Sequence, residues 1–147
     1  MLHYENDVRR QMMSEIKGLV HVGVASADGM QTAKFFSDIF GGEVLFRDEF
    51  PEQGQISTMV QVGPCALEIM EPLGDQGVVS KYLEKKGPGL HHISIEVTGI
   101  IELAAELEAK GLQIIGKQFE DPAVHYMFVS PKSTGGILIE IVEHFEP

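Results

Sequence analysis

The chain writes one pattern twice, and that repeat limits its fold more than any other feature. "GLVHVGVASADG" at 18–29 and "GLHHISIEVTGI" at 89–100 both open on Gly-Leu. Each puts a histidine at the head of an alternating run, and each leads into a helix-like segment. In the first copy Val20, Val22 and Val24 share one face, while His21, Gly23 and Ala25 share the other. Strict alternation of this kind predicts a strand. A face of very small side chains plus one histidine suits the lining of a cavity. Ala33, Phe36, Ile39 and Phe40 recur at helical spacing over 30–42 and run into Gly41-Gly42, which predicts a helix and its stop. Strands follow at 43–50, 55–62 and 65–71, with "PEQG" and "GP" as turns.

The order then recurs. Residues 91–97 predict a strand, 99–111 a helix closed by Gly111, and 112–118, 124–130 and 137–143 three more strands. The loop "SPKSTGG" (130–136) separates the last two. The chain therefore reads as α+β, two βαβββ modules of about 70 residues each. Module one covers 18–72 and module two 89–147, joined by a bridge at 73–88 that holds a short helix. Together they are expected to form a single domain. Residues 1–17 stand outside the repeat. Val8, Met12 and Ile16 share a helical face there, which predicts an N-terminal helical arm.

Composition excludes several classes. With 44% hydrophobic residues in 147, the chain can bury a core and is not a disordered polymer. A net charge of −11 repels phosphate backbones, and no basic stripe interleaved with aromatics is present, so no nucleic acid partner is expected. No apolar run approaches the roughly 18 residues that span a bilayer, so no membrane role is expected either. The opening segment is acidic early and lacks an apolar stretch, unlike a secretory leader. Cys65 is the single cysteine, which fits a reducing cytoplasm.

Registering the two copies selects the candidate site. His21 and His92 lie 71 residues apart, and Glu68 and Glu140 lie 72 apart. His92, not His91, is thus the partner of His21, and His91 is expected at the rim, outside the site. Two modules related by a pseudo-twofold axis would bring His21, Glu68, His92 and Glu140 to one centre. Two imidazoles and two carboxylates suit a first-row divalent metal ion: Co, Ni, Mn, Fe or Zn. Four protein ligands on a six-coordinate ion leave two positions for oxygens of one substrate. Such an ion stabilises the enolate left when a proton leaves carbon.

The duplicated βαβββ with His…Glu…His…Glu resembles the vicinal oxygen chelate superfamily (glyoxalase, bleomycin resistance and dioxygenase proteins). "PEQG" (51–54), "EIMEPLG" (68–74), "KYLEKKGPGLHHI" (81–93) and "HYMFVSPKSTGGILIEIVE" (125–143) resemble its methylmalonyl-CoA epimerase branch. The resemblance implies a glyoxalase-like fold, with eight strands in a half-open barrel around one metal. It also implies that His21, Glu68, His92 and Glu140 are the ligands. The activity implied is isomerisation by proton transfer at the α-carbon of an acyl-CoA thioester, in a homodimer. Glu140 is then also a candidate for proton transfer.

One position departs from the branch. A glutamate proposed as the proton-abstracting base often stands three residues past the PEQG glycine, and here Ser57 stands there. Alternation puts Ser57 with Gln55, Met59 and Gln61 on one face, but a lone hydroxyl is too weak a base for an α-proton. Aligning "STMVQV" with "HYMFVS" makes His125 the counterpart of Ser57, and imidazole is a plausible base. Lys132 and Ser133, in the last loop, are candidates to hold a substrate phosphate or carboxylate. Two alternatives stay open. One is a glyoxalase I-like lactoylglutathione lyase acting on a thiol adduct, and the other is a non-catalytic small-molecule-binding protein on the same fold.

Overall fold

The computed structural model describes residues 14–147. The strands are β1 (Glu15–Ala25), β2 (Glu43–Phe50), β3 (Gln55–Val62), β4 (Cys65–Pro72), β5 (Gly89–Thr98), β6 (Ile114–Gln118), β7 (Val124–Val129) and β8 (Ile139–His144). The helices are α1 (Gly29–Phe40), α2 (Val78–Lys86), α3 (Ile100–Ala109) and the single turn α4 (Pro131–Thr134). The βαβββ pattern thus occurs twice, in an α+β chain. Two expectations need correction. β1 begins at Glu15, so Ile16 sits in a strand and not on a helical arm; the rest of that arm, residues 1–13, lies outside the described residues. The 130–136 loop contains the turn α4, started by Ser130, whose Oγ accepts from the Lys132 amide.

The chain divides into two compact units. One spans Val20–Ser94, and the other takes Ile95–Pro147 together with the stretch that ends at Leu19. Both β1 and β5 are therefore shared: each gives one end to each unit.

In the 20–94 unit the strand order is β2-β3-β4-β1, with β1 parallel to β4 and the other pairs antiparallel. Alternation along β4 sends neighbouring residues to opposite faces. Ile69 packs with Ala33 and Val60 under α1, while Met70 packs with Ala25 and Val79 under α2. Glu68 follows the parity of Met70, so it faces away from α1. Asp28 caps α1 by accepting from the Gln31 amide, and Gly41 ends it at φ +67°, where a Cβ would be strained.

In the other unit the order is β5-β8-β7-β6, all linked as neighbours. Val97, Met127, Val129 and Ile141 pack against Ile100, Leu103 and Ala104 of α3. The start of β1 belongs here, tied by the Glu15 amide donating to Thr98 Oγ1 at 3.1 Å.

The two units cap their first helix in the same way. Glu143 accepts from the Gly99 and Ile100 amides at 2.9 Å each, at the start of α3. Glu71 accepts from the Gly29 amide at the start of α1 and is held by Arg47. Each of these carboxylates lies three residues past a candidate ligand, on the helix-facing side of its strand. A carboxylate there satisfies orphan amides and meets the positive end of the helix dipole.

Candidate metal centre

Three of the four expected ligands meet inside the 20–94 unit. His21 is on β1, Glu68 on β4 and His92 on β5. His21 Nε2 lies 3.1 Å from His92 Nε2, and Glu68 Oε2 lies 3.2 Å from the first and 3.4 Å from the second. All three side chains are largely shielded, at 13%, 15% and 3% exposure for His21, Glu68 and His92, so water screens them little. The β1–β4 ladder sets the spacing, since Gly23 stands opposite Glu68 and His21 opposite Ala66.

The sequence needs a glycine at 23 for room, not for backbone freedom. A Cβ there would lie 2.1 Å from His92 Cε1 and 2.2 Å from Nδ1. The imidazole of His92 therefore rests directly on the β1 backbone.

Glu68 divides its two oxygens. Oε2 faces the imidazoles, and Oε1 accepts from Ser57 Oγ at 2.9 Å. Ser57 is buried and in turn accepts from Gln55 Nε2 at 2.9 Å. Burial alone would raise the Glu68 carboxyl. The hydrogen bonds and charges of His21 and His92 outweigh it and hold the group well below the ordinary carboxylate range. Two imidazole nitrogens and one ionised oxygen converge within 3.4 Å of one another. That donor set fits a divalent first-row cation.

His91 is not a rim residue. It lies within β5, is half-buried, and packs edge-on against Tyr82 with ring centroids 4.7 Å apart. Its Nδ1 lies 3.0 Å from His92 Nδ1. Burial pushes its pKa down to about 4, helped by the charges of His92 and Lys86 and opposed by that of Glu68.

Glu140 lies on β8, in the other unit, and is half-buried. It pairs with Phe128 on β7 as Glu68 pairs with Met59 on β3. The same ladders correct the expected match of Ser57 with His125. Ser57 stands opposite Met70, two past Glu68, and the residue opposite Val142, two past Glu140, is Tyr126. His125 has the parity of Met127 and Ile141, on the α3 side, away from Glu140. Its ring sits between those of Phe119 and Phe145, and its buried Nδ1 has no hydrogen-bond partner.

Lys132 and Ser133 are both exposed on α4. Ser133 Oγ accepts from the Gln113 amide at 2.8 Å, so this hydroxyl also anchors the approach to β6. Sequence reasoning gave Gln55 and His91 no role in the site and missed the two helix-capping glutamates. The repeated Glu-x-x-Glu of β4 and β8 was the available signal for the caps.

Comparison with known proteins identifies the family. The model of the Glyoxalase/Bleomycin resistance protein/Dioxygenase superfamily matches residues 20–129. Human mitochondrial methylmalonyl-CoA epimerase is 32% identical over 126 residues, covering 84% of this chain and 72% of its own. The crystal structure of methylmalonyl-CoA epimerase from Mycobacterium tuberculosis superposes with a TM-score of 0.82 at 27% identity, over 94% of this chain and 96% of that one. The epimerase of Streptomyces coelicolor in complex with 2-nitronate-propionyl-CoA gives 0.81 at 27% identity, over 89% and 99%. The glyoxalase-like fold that the resemblance implied is thereby shown, and this chain belongs to the Glyoxalase/Bleomycin resistance protein/Dioxygenase superfamily as an epimerase-like isomerase.

Proposed function

We propose that this protein moves a proton at the α-carbon of an acyl-CoA thioester, with methylmalonyl-CoA as the leading substrate. The observation that carries this reading is the shielded convergence of His21 Nε2, His92 Nε2 and Glu68 Oε2 within 3.4 Å. His21, Glu68 and His92 would hold a divalent cation, with Glu140 as the fourth ligand. Support for Glu140 comes from its place on the β8 ladder, equivalent to that of Glu68 on β4. When bound, the cation supplies Lewis-acid stabilisation of negative charge on substrate oxygens.

The chain's own residues divide the remaining work. Glu140 is our candidate for the base: its carboxylate takes the α-proton, the electron pair moves into the thioester carbonyl, and an acid on the opposite face returns a proton. Inversion then requires the planar carbanion to present its other face to that acid. Ser57 is no base, since its proton is donated to Glu68 Oε1. It fixes the orientation of Glu68 instead. Its neighbours on that face of β3, Gln55, Met59 and Gln61, are all neutral. His125, packed on the α3 side, does not enter this mechanism.

Lys132 is proposed to pair with a phosphate or carboxylate of the substrate from its exposed turn, with Ser133 beside it. A homodimer is also proposed. Its support is the exposed apolar set of Phe35, Ile39 and Phe40 on α1 and Val44, Leu45 and Phe46 on β2. Among the described residues no helix is long and apolar enough to cross a membrane. The single cysteine supports our placing the protein in a reducing cytoplasm.

The test is solvent deuterium exchange into methylmalonyl-CoA by metal-loaded protein, with product chirality followed in parallel. Exchange with racemisation is expected, and it should vanish on chelation. Loaded protein that exchanges no acyl-CoA, but converts the methylglyoxal–glutathione hemithioacetal, would overturn the proposal in favour of a lyase.

A further inference from the structure

The second histidine of the pair has a geometry that the ligand set leaves unexplained. His92 presents Nε2 to His21 and Glu68, so a cation bound there takes the Nε2 lone pair. A neutral imidazole with a bare Nε2 carries its proton on Nδ1. That Nδ1 lies 3.0 Å from His91 Nδ1, within hydrogen-bond range. That proton is then placed for donation to His91 Nδ1, with His91's own proton on Nε2.

We propose that His91 is a positioning residue: by accepting from His92 Nδ1–H it fixes the tautomer and ring orientation in which His92 binds the cation. This rests on the metal reading given above. Metal-bound histidines usually find such an acceptor in a carboxylate, carbonyl or water, and its loss costs affinity. Here a neighbouring imidazole fills that role.

The surroundings hold His91 in place. The Tyr82 ring packs edge-on against it at 4.7 Å. The Tyr82 hydroxyl donates to the Leu90 carbonyl at 2.7 Å, which pins α2 to the start of β5. Lys86 Nζ lies 5.6 Å from the centre of the Tyr82 ring. His92 is confined from below by Gly23, so its ring cannot turn freely to find another acceptor. Adjacent residues of a flat strand point to opposite faces. The contact between neighbouring rings therefore needs this supporting shell.

The experiment measures Co²⁺ affinity for wild type, His91→Phe and His91→Asn, alongside NMR of the His92 Nδ1–H proton in zinc-loaded protein. Phenylalanine keeps the packing on Tyr82 and removes the acceptor, whereas asparagine restores an acceptor oxygen. We expect His91→Phe to bind Co²⁺ roughly 10- to 100-fold more weakly, with His91→Asn recovering most of that loss. The Nδ1–H resonance should be downfield and slow to exchange in wild type, and upfield and fast in His91→Phe. Wild type that takes up no Co²⁺ overturns the metal reading and this inference with it. Wild type that binds Co²⁺, beside a His91→Phe variant of equal affinity and unchanged Nδ1–H resonance, overturns this inference alone.

Discussion

Replacing Gly23 by alanine tests the centre through a residue that donates nothing to it. The backbone at Gly23 is not in the left-handed region, so alanine brings no dihedral strain. Space is the whole effect. The new Cβ would meet His92 Cε1 at 2.1 Å, Nδ1 at 2.2 Å and Nε2 at 2.8 Å. The closest of these falls short of ordinary van der Waals contact by about 1.3 Å. Three of the five ring atoms clash, so rotation of the ring alone does not clear them. The imidazole must retreat by about an ångström, while coordination tolerates deviations of about 0.2 Å. His92 should therefore drop out of the ligand set, lowering Co²⁺ affinity by at least about 100-fold, the upper range for loss of an outer partner. Overpacking should also cost about 1–3 kcal/mol of stability. At roughly 2–4 °C per kcal/mol for a chain of this size, Tm falls by about 2–12 °C. Calorimetric metal titration and thermal melting read the two effects. A double-mutant cycle with His92→Ala isolates the cause, since in that background Gly23→Ala should cost almost nothing. An equal penalty with and without the His92 ring would refute the reasoning.

Other perturbations separate the remaining roles. Ser57→Ala should weaken metal binding about 10- to 100-fold by freeing Glu68 Oε1, as measured by Co²⁺ competition, with Ser57→Thr close to wild type. His125→Phe should leave deuterium exchange intact and raise Tm by about 2–4 °C, because it removes a buried nitrogen without a partner; lost exchange with metal retained would restore His125 as a base. Glu143→Ala should cost about 1–2 kcal/mol in chemical denaturation through loss of the α3 cap, without changing metal affinity measured on folded protein. Metal affinity should fall as pH drops, because protons compete for the Nε2 lone pairs of His21 and His92; isothermal metal titrations at several pH values check the sign.

Much of this protein is written locally. The turns "PEQG" and Gly63-Pro64 bounded β2 and β3 to the residue, because glycine and proline break a strand wherever they stand. The repeat itself showed that His21 and Glu68 in one module match His92 and Glu140 in the other, since duplicated elements keep their spacing inside each strand. Cross-strand register was another matter. β3 and β4 join through Gly63-Pro64, and β7 and β8 join through a stretch that includes α4. Which residues face each other follows from the geometry of those connections. The ladders therefore put Tyr126, not His125, in the place of Ser57 and turn His125 to the α3 side. Only tertiary structure could show Glu68 shared between Ser57 and two imidazoles, or His92 resting on the bare backbone of Gly23. Those contacts join strands far apart in sequence, and no local pattern records a distance across a fold. The His91–His92 bond was hidden for the opposite reason. The residues are neighbours, but strand geometry points neighbours apart, and it took Tyr82 on α2 and the floor at Gly23 to bring the two rings together.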